Sequence, residues 1–327
     1  MNISDFANGS TRSLAALALC CLGTVALAQA ETYPNQNVRS IVGFPPGGTV
    51  DFNARLIGNE LSELWDVQVV IENIGGSGSA LGAAAAAAAE PDGYTYLVVS
   101  PAHTINASLR NNLPFDTLND FTAVTRLAAS PLGLYLNPSV PIESVGELVD
   151  YARENPGELN FGYSGVGAST HLSLLMFTQY ADIEITGVPY QGGGPLQTAI
   201  LSGEVDGCFC GIDVMKHVPD GNLKVIAVTT PERSPTYPDL PTVGETVDGY
   251  AVETWYGVYV PAGTPDGIVQ KLYSDINEIL QHDNVRAAYE NIGFRVIGST
   301  PEELAAFTEQ EIETWRKIIE AEGISVE

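Results

Sequence analysis

Glycine-rich loops with small hydroxyl residues recur between a predicted strand and the start of a predicted helix. Three loops follow this pattern, Pro45 to Thr49, Gly75 to Ser79 and Ser164 to Thr170, and a fourth, Gln191 to Gly194, lacks the hydroxyls. Helix N-termini carry free N–H groups and partial positive charge, and glycine lets a ligand approach the backbone. Because ordinary turns also use glycine, one such loop would mean little, whereas four predict a cleft for an anion or a carboxylate.

A secreted serine hydrolase is the alternative that these loops leave open. Its nucleophile would be Ser164 or Ser169, with His171 as the base. The segment Gly162 to Val166 (GYSGV), however, misses the last glycine of the G-x-S-x-G nucleophile elbow. Since polar residues lining a binding cleft produce the same pattern, no catalytic residue is predicted.

Motifs for cofactors and metals are weak or missing in the sequence. The segment Gly76 to Gly82 departs from the dinucleotide fingerprint G-x-G-x-x-G, because Leu81 takes the place of the last glycine. The P-loop motif does not occur, and the four histidines show no metal-ligand spacing. We therefore predict neither a cofactor nor a metal site.

The elements that position the first loops alternate between strand and helix. Val38 to Phe44 predicts a strand, Thr49 to Leu64 a helix with the i, i+4 pair Asp51 and Arg55, and Val67 to Ile71 a second strand. A helix through the alanine run and a third strand, Tyr94 to Val99, follow. This order predicts an α/β fold with a parallel sheet and right-handed crossovers.

A second unit of the same kind occupies the middle of the chain. It begins with a predicted strand from Leu132 to Leu136 and continues through a helix from Val145 to Glu154 and a strand from Asn160 to Tyr163. Further strands and helices follow, and helices close the chain. Thr300 and Glu303 predict a capping box at the start of the last helix.

The net charge of −26 comes from 40 acidic and 14 basic residues. Binding to phosphate groups needs lysine and arginine, so this balance argues against nucleic acids and anionic membrane surfaces as partners. We expect the charge to form a solvated acidic surface, with an acidic docking face as the alternative.

The N-terminus has the pattern of a secretory signal peptide. Arg12 is followed by a largely apolar run from Leu14 to Ala28, and the sequence Ala-Gln-Ala then predicts cleavage after Ala30. The run is shorter than the roughly 20 apolar residues of a membrane span. Cys20 and Cys21 lie within it, but neither follows a small residue, which disfavours lipidation without excluding it.

Cys208 and Cys210 have an i, i+2 spacing on a predicted strand, so both side chains point to one side. A disulfide at this spacing would be strained, and two thiols alone make a poor metal site. We therefore expect two small buried side chains rather than a redox pair.

Several motifs, in order over nearly the whole mature chain, resemble those of the substrate-binding proteins of tripartite tricarboxylate transporters, the Bug-type or TctC-type receptors. They include Phe44 to Gly48 (FPPGG), Pro91 to Thr95 (PDGYT), Pro156 to Gly162 (PGELNFG), Val188 to Gly193 (VPYQGG) and Pro261 to Pro265 (PAGTP).

The resemblance implies a two-lobed periplasmic binding protein, type II-like, with a ligand cleft between the lobes. Residues 31–125 and 255–327 would form lobe 1, residues 126–254 lobe 2, and residues 1–30 the signal peptide. It also implies a partner in the inner membrane with one large and one small subunit. The ligand would be a small organic carboxylate, and we expect a monomer.

The resemblance also implies ligand contacts through backbone N–H groups and hydroxyls. The matching positions are Gly48, Thr49, Ser77, Ser79, His103, Ser169, Thr170 and Gly193. His171 is added because it falls near a strand end at the expected cleft, and Cys210 because it lies near the expected pocket.

Two positions depart from the family pattern. Val50 stands where a hydroxyl or small residue is usual, and Cys210 with Gly211 stands where polar residues are usual. These departures predict a ligand less polar than citrate or shaped differently. The predicted function is a transport receptor, with a serine hydrolase and a sensory receptor as alternatives.

Overall fold

The computed structural model describes residues 33–190, 192–321 and 323. The predicted signal peptide, with Cys20, Cys21 and the cleavage point after Ala30, lies outside the described residues, as does Gln191. The chain forms two compact units, and the second, residues Gln36–Glu327, contains all the helices and strands given below.

The first elements confirm the predicted order of strand and helix. They are β1 (Val38–Val42), α1 (Thr49–Trp65), β2 (Val69–Asn73), α2 (Ala80–Ala87) and β3 (Thr95–Val99). Strand β1 lies between β2 and β3 and pairs with both in parallel, as the crossover helices require. All the loops that precede these helices therefore lie at the same edge of the sheet.

One long strand, β4 (Phe121–Leu136), follows helix α3 (Ala102–Leu109). Only its second part, from Leu132 on, was predicted as a strand, and the segment before it was predicted to be a crossing between lobes. The first part pairs antiparallel with β9 (Glu253–Pro261), from Phe121 opposite Pro261 to Pro131 opposite Glu253. The first part of β4 was missed because its partner strand lies more than 100 residues away, and such pairing cannot be predicted from the hydrophobic pattern of neighbouring residues.

The middle of the chain agrees closely with prediction. Its elements are α4 (Val145–Glu154), β5 (Asn160–Tyr163), α5 (Ser169–Ala181), β6 (Thr186–Pro189), α6 (Gly193–Ser202), β7 (Gly207–Gly211) and β8 (Lys224–Val228). Strands β7 and β8 both pair antiparallel with the second part of β4. The sheet order is β2-β1-β3-β9-β4-β7-β5-β6, so β4 and β9 connect the N-terminal strands to the middle ones.

The C-terminal elements are α7 (Asp266–Ile279), α8 (Asp283–Glu290), β10 (Arg295–Val296) and α9 (Pro301–Ala321). The predicted capping box at the start of α9 is confirmed. The N–H of Glu303 donates to Thr300 Oγ1 at 3.1 Å, and the N–H of Thr300 donates to the Glu303 carboxylate at 2.8 Å. Within the described part of the chain, no helix combines the length and the apolar character needed to cross a membrane.

The prediction of two free thiols was wrong. Cys208 and Cys210 form a disulfide, with their Cα atoms 5.6 Å apart. Both residues are buried in β7, among apolar side chains such as Leu196 and Val214. Alternate residues of a strand point to the same face, which brings the two sulfur atoms within bonding reach.

Candidate ligand-binding cleft

A cavity of about 560 Å³ lies where segments far apart in the sequence meet. The loop before α1, the start of α3, the loop before α5 and the first half of β9 all contribute to it. The lining residues are Phe44 to Val50, Ser100 to Ala102, Ile105, Gly167 to Ser169, Thr254 and Tyr256. Two of the predicted glycine-rich loops therefore face one space.

The start of α1 is shaped by two glycines. Gly47 has a φ of 88°, which favours glycine, and Gly48 is the N-cap residue without a side-chain cap. The N–H of Gly47 donates to Asp51 Oδ2 at 2.9 Å. The first N–H groups of a helix have no partner within the helix, so those after Gly47 remain available to a ligand.

Asp51 holds this helix start in place. Its Oδ2 also accepts from Arg55 Nε at 2.8 Å, and its Oδ1 accepts from Asn73 Nδ2 at 2.9 Å. The hydrogen bond from Arg55, assisted by those from Gly47 and Asn73, lowers the pKa of Asp51 to about 2 against the opposing effect of burial. The predicted pair of Asp51 and Arg55 is thereby confirmed.

The start of α5 is held by its own side chains. Thr170 Oγ1 accepts from the N–H of Ser164 at 2.9 Å and lies 2.9 Å from the Ser164 hydroxyl. His171 Nδ1 accepts from the N–H of Gly167 at 3.2 Å, and its ring lies 4.1 Å from that of Tyr163. Burial lowers the pKa of His171 to about 4, so the ring is neutral at pH 7.

Tyr256 links β9 to the start of α1 across the cavity. Its hydroxyl donates to Thr49 Oγ1 at 2.9 Å, and burial raises the pKa of Tyr256 to about 12, which keeps the phenol protonated. Because Thr49 accepts this bond, its own hydroxyl proton is free to point at a ligand. Sequence reasoning missed Tyr256; its alternation with Thr254 indicated a shared face, but nothing indicated that this face meets Thr49.

The predicted site residues fall into three groups. Those that line the cavity are Gly48, Thr49 and Ser169. Those that hold the loop behind it are Thr170 and His171. Those that do not line it are Ser77, Ser79, His103, Gly193 and Cys210.

His103 lies in an aromatic cluster instead. Its ring centroid is 5.0 Å from those of Phe121 and Tyr259 and 6.2 Å from that of Phe115. Neither ring nitrogen has a hydrogen-bond partner among the described residues, and burial lowers the pKa of His103 to about 4.

The second glycine-rich loop, Gly75 to Ser79, is hydrogen-bonded to α3 and does not line the cavity. Asn106 Nδ2 donates to the carbonyl of Gly78 at 2.7 Å. Ser77 and Ser79 on either side have φ values of 48° and 79°. Gly193 is exposed at the start of α6.

The electrostatic character of the cavity comes from the backbone. None of its described lining residues carries a charge, and most are apolar, including Phe44, Pro46, Val50 and Ile105. Helices α1 and α5, of 17 and 13 residues, both direct their N-termini at it. Partial positive charge at these termini favours an anionic group.

This fold and this cleft define a class, the α/β solute-binding proteins in which a ligand lies between strand ends and helix starts. Residues 53–324 match the model of the tripartite tricarboxylate transporter family receptor. The protein therefore belongs to this family of periplasmic receptors, which confirms the resemblance seen in the sequence.

Three relatives illustrate the match. An R. palustris protein solved with adipate is 34% identical, with a TM-score of 0.77 and coverage of 90% of this chain and 99% of that one. MatC from Rhodopseudomonas palustris, solved with bound malate, is 31% identical, with a TM-score of 0.73 and coverage of 88% and 100%. BugT from Bordetella pertussis is 31% identical over 319 residues, covering 96% of this chain and 98% of its own.

Proposed function

We propose that the protein binds a small organic carboxylate in this cavity and delivers it to a membrane transporter of the tripartite tricarboxylate type. The observation that carries the proposal is that the starts of α1 and α5, neither capped by a side chain, face one cavity whose described lining residues carry no charge. Backbone N–H groups in a desolvated space form strong hydrogen bonds to a carboxylate.

The carboxylate would contact Gly48, Thr49 and Ser169, which line the cavity from both sides. Thr170 and His171 would act indirectly, by holding the loop that presents Ser169. Ser77, Ser79, His103, Gly193 and Cys210 lie away from the cavity, so a direct role for them would need a different arrangement of the loops.

The apolar lining favours a ligand with a hydrocarbon body. Val50 is buried and lines the cavity with Pro46 and Ile105. A hydroxyl or third carboxylate placed against these side chains would lose hydrogen bonds to water without replacement. This supports a chain such as adipate, the ligand of one relative, over malate or citrate.

The protein would be exported to the periplasm and would dock there on its membrane transporter. The signal peptide, residues 1–30, would be cleaved after Ala30, and the mature monomer would meet one large and one small transporter subunit. Residues 31–125 with 255–327 and residues 126–254 would act as two lobes that close on the ligand. Closure would then be the signal that the membrane partner reads.

We further propose that the protein is not an enzyme. His171 Nδ1 accepts a hydrogen bond from the N–H of Gly167, and the Ser164 hydroxyl is hydrogen-bonded to that of Thr170. Both groups are therefore engaged in holding the loop. Ester or amide turnover that disappears in Ser164→Ala or Ser169→Ala would overturn this.

A thermal-shift titration of the mature protein tests the receptor function. Adipate, malate and citrate are compared with hexamethylenediamine, which matches adipate in length but carries the opposite charge. A ligand that binds only the folded state raises the melting temperature with its concentration, so adipate is expected to give the largest shift and the diamine none. No shift with any carboxylate, or an equal shift with the diamine, would contradict the proposal.

A further inference from the structure

Glu311 of α9 carries a carboxylate that is bonded to other elements behind the cleft. Its Oε2 accepts from the indole N–H of Trp255 at 2.9 Å and from that of Trp315 at 3.1 Å, and it lies 3.2 Å from the hydroxyl of Thr104. Thr104 and Trp255 are fully buried. One oxygen atom therefore joins α3, β9 and α9.

The residues bonded to Glu311 are direct chain neighbours of cavity-lining residues. Thr104 precedes Ile105, and Trp255 stands between Thr254 and Tyr256. Ile105, Thr254 and Tyr256 all line the cavity. Because successive residues are only about 3.8 Å apart along the chain, a displacement of Thr104 or Trp255 also moves the cavity lining.

Helix α9 also reaches the other side of the cleft. Trp315 belongs to the same buried core as Met176 and Phe177 of α5. Helix α9 packs against both α3 and α5, and α5 begins at Ser169, which lines the cavity. The segments on both sides of the cavity are thus packed against the helix that carries Glu311.

We infer that Glu311 is a positioning residue of the cleft, which sets the separation of α3 and β9 and thereby the shape of the ligand cavity. The inference rests on the proposed function only in taking this cavity as the ligand site. Glu311 itself does not line that cavity, so its effect on a ligand passes through Thr104 and Trp255.

A carboxylate is needed here because of its hydrogen bonds. Leucine would fill a similar space, but it would leave two buried indole N–H groups without their acceptor, which forces neighbouring elements to rearrange. Glutamine keeps an oxygen atom that can accept, although an uncharged one accepts more weakly. Glu311→Leu is therefore expected to have a larger effect on the cleft than Glu311→Gln.

Glu309→Leu is the matched control. Glu309 lies on the same helix and is exposed, so this substitution removes one negative charge and adds the same apolar side chain without touching Trp255 or Thr104. It is expected to behave like the unmodified protein.

The first measurement is amide hydrogen exchange without ligand. In Glu311→Leu, exchange is expected to accelerate in Ser100 to Ile105 and in Thr254 to Tyr256, while the strands at the two ends of the sheet, β2 and β6, keep their rates. Glu311→Gln should show a smaller change in the same two segments, and it carries the test if the leucine variant does not fold. Unchanged exchange in both segments, or a uniform rise over the whole chain, would overturn the inference.

The second measurement is the affinity for adipate by calorimetry. Couplings through packed residues change affinity by about two- to thirtyfold. Glu311→Leu is therefore expected to bind adipate about tenfold more weakly, and Glu309→Leu is expected to bind it with unchanged affinity. Equal affinity in Glu311→Leu and the unmodified protein would overturn the inference. If the unmodified protein binds no carboxylate, the proposed function fails, whereas the exchange measurement still decides the role of Glu311.

Discussion

At the scale of single residues, the hydrogen bonds that side chains form decide which donor groups at the cleft remain available to a ligand. Asp51 accepts the hydrogen bond from the N–H of Gly47, whereas the next N–H groups of α1 can still donate to a ligand. Tyr256 donates to Thr49 Oγ1, so the hydroxyl proton of Thr49 can still donate to a ligand. Such residues need not touch a ligand to influence its binding. Their contributions can be separated by measuring stability and affinity in the same variants.

Asp51→Asn should lower stability in a pH-dependent way. The pKa of Asp51 is about 2 in the folded protein, below the value of about 4 expected when unfolded. Its stabilising contribution is therefore fully present above about pH 4 and is lost as the pH falls towards 2. We expect the variant to lose about 2 kcal/mol of unfolding free energy at pH 7 and less at pH 3.

Urea denaturation at these two pH values measures the difference. Glu63→Gln is the control, since Glu63 is exposed on the same helix. A loss that is equal at both pH values would show that the charge of Asp51 does not stabilise the fold.

Tyr256→Phe should weaken ligand binding without disrupting the fold. Removing the phenol hydroxyl leaves Thr49 without the donor that orients it. A hydrogen bond contributes about 1 kcal/mol, so the dissociation constant for adipate, measured by calorimetry, is expected to rise about fivefold.

Tyr259→Phe is the matched control for this variant. Tyr259 is buried on the same strand, and its hydroxyl bonds to Thr308 rather than to a residue of the cavity. An equal loss of affinity in both variants would show that the effect comes from the strand and not from Thr49.

At the scale of elements, the local pattern of the sequence predicted what depends on neighbours along the chain. Helix α4 was predicted over the same residues that form it, since its apolar face and its ending are local signals. The first part of β4, the link from Tyr256 to Thr49 and the bonds of Glu311 to Thr104 and Trp255 were missed, because each joins segments over 50 residues apart. The loop before α5 was predicted as a binding element, but most of its hydroxyls turned out to hold the loop itself.

Gly167→Ala should disturb the contact between this loop and α3. Gly167 has a φ of 75°, and a Cβ atom there would lie 2.3 Å from Cδ2 of the buried Leu109. We expect a loss of about 1–3 kcal/mol in unfolding free energy, measured by urea denaturation, together with weaker binding of adipate.

Two further variants separate steric overlap from backbone strain. Gly165→Ala, in the same loop, meets no atom within 4 Å and should retain more affinity for adipate. Leu109→Ala in the Gly167→Ala background should recover part of the lost affinity. If the double variant recovers nothing, the contact between the loop and α3 is not what limits binding.

At the scale of the whole molecule, the family and the fold were both predicted from ordered motifs, whereas the lobe boundaries stay a prediction. If residues 126–254 move as one body towards the rest, adipate should reduce the radius of gyration measured by small-angle X-ray scattering. Hexamethylenediamine in the same buffer should leave it unchanged. Calorimetric binding of adipate without any change in scattering would contradict closure of the lobes.

The uninterrupted strand β4 also has a consequence for unfolding. Its first part belongs to the sheet of β9 and its second part to the sheet of β7 and β8. A fragment that contained only the strands on one side of β4 would lose the part of β4 that pairs with the other side. Each such fragment would expose unpaired strand edges that promote aggregation. The molecule should therefore melt in a single cooperative calorimetric transition, with the van 't Hoff enthalpy equal to the measured heat.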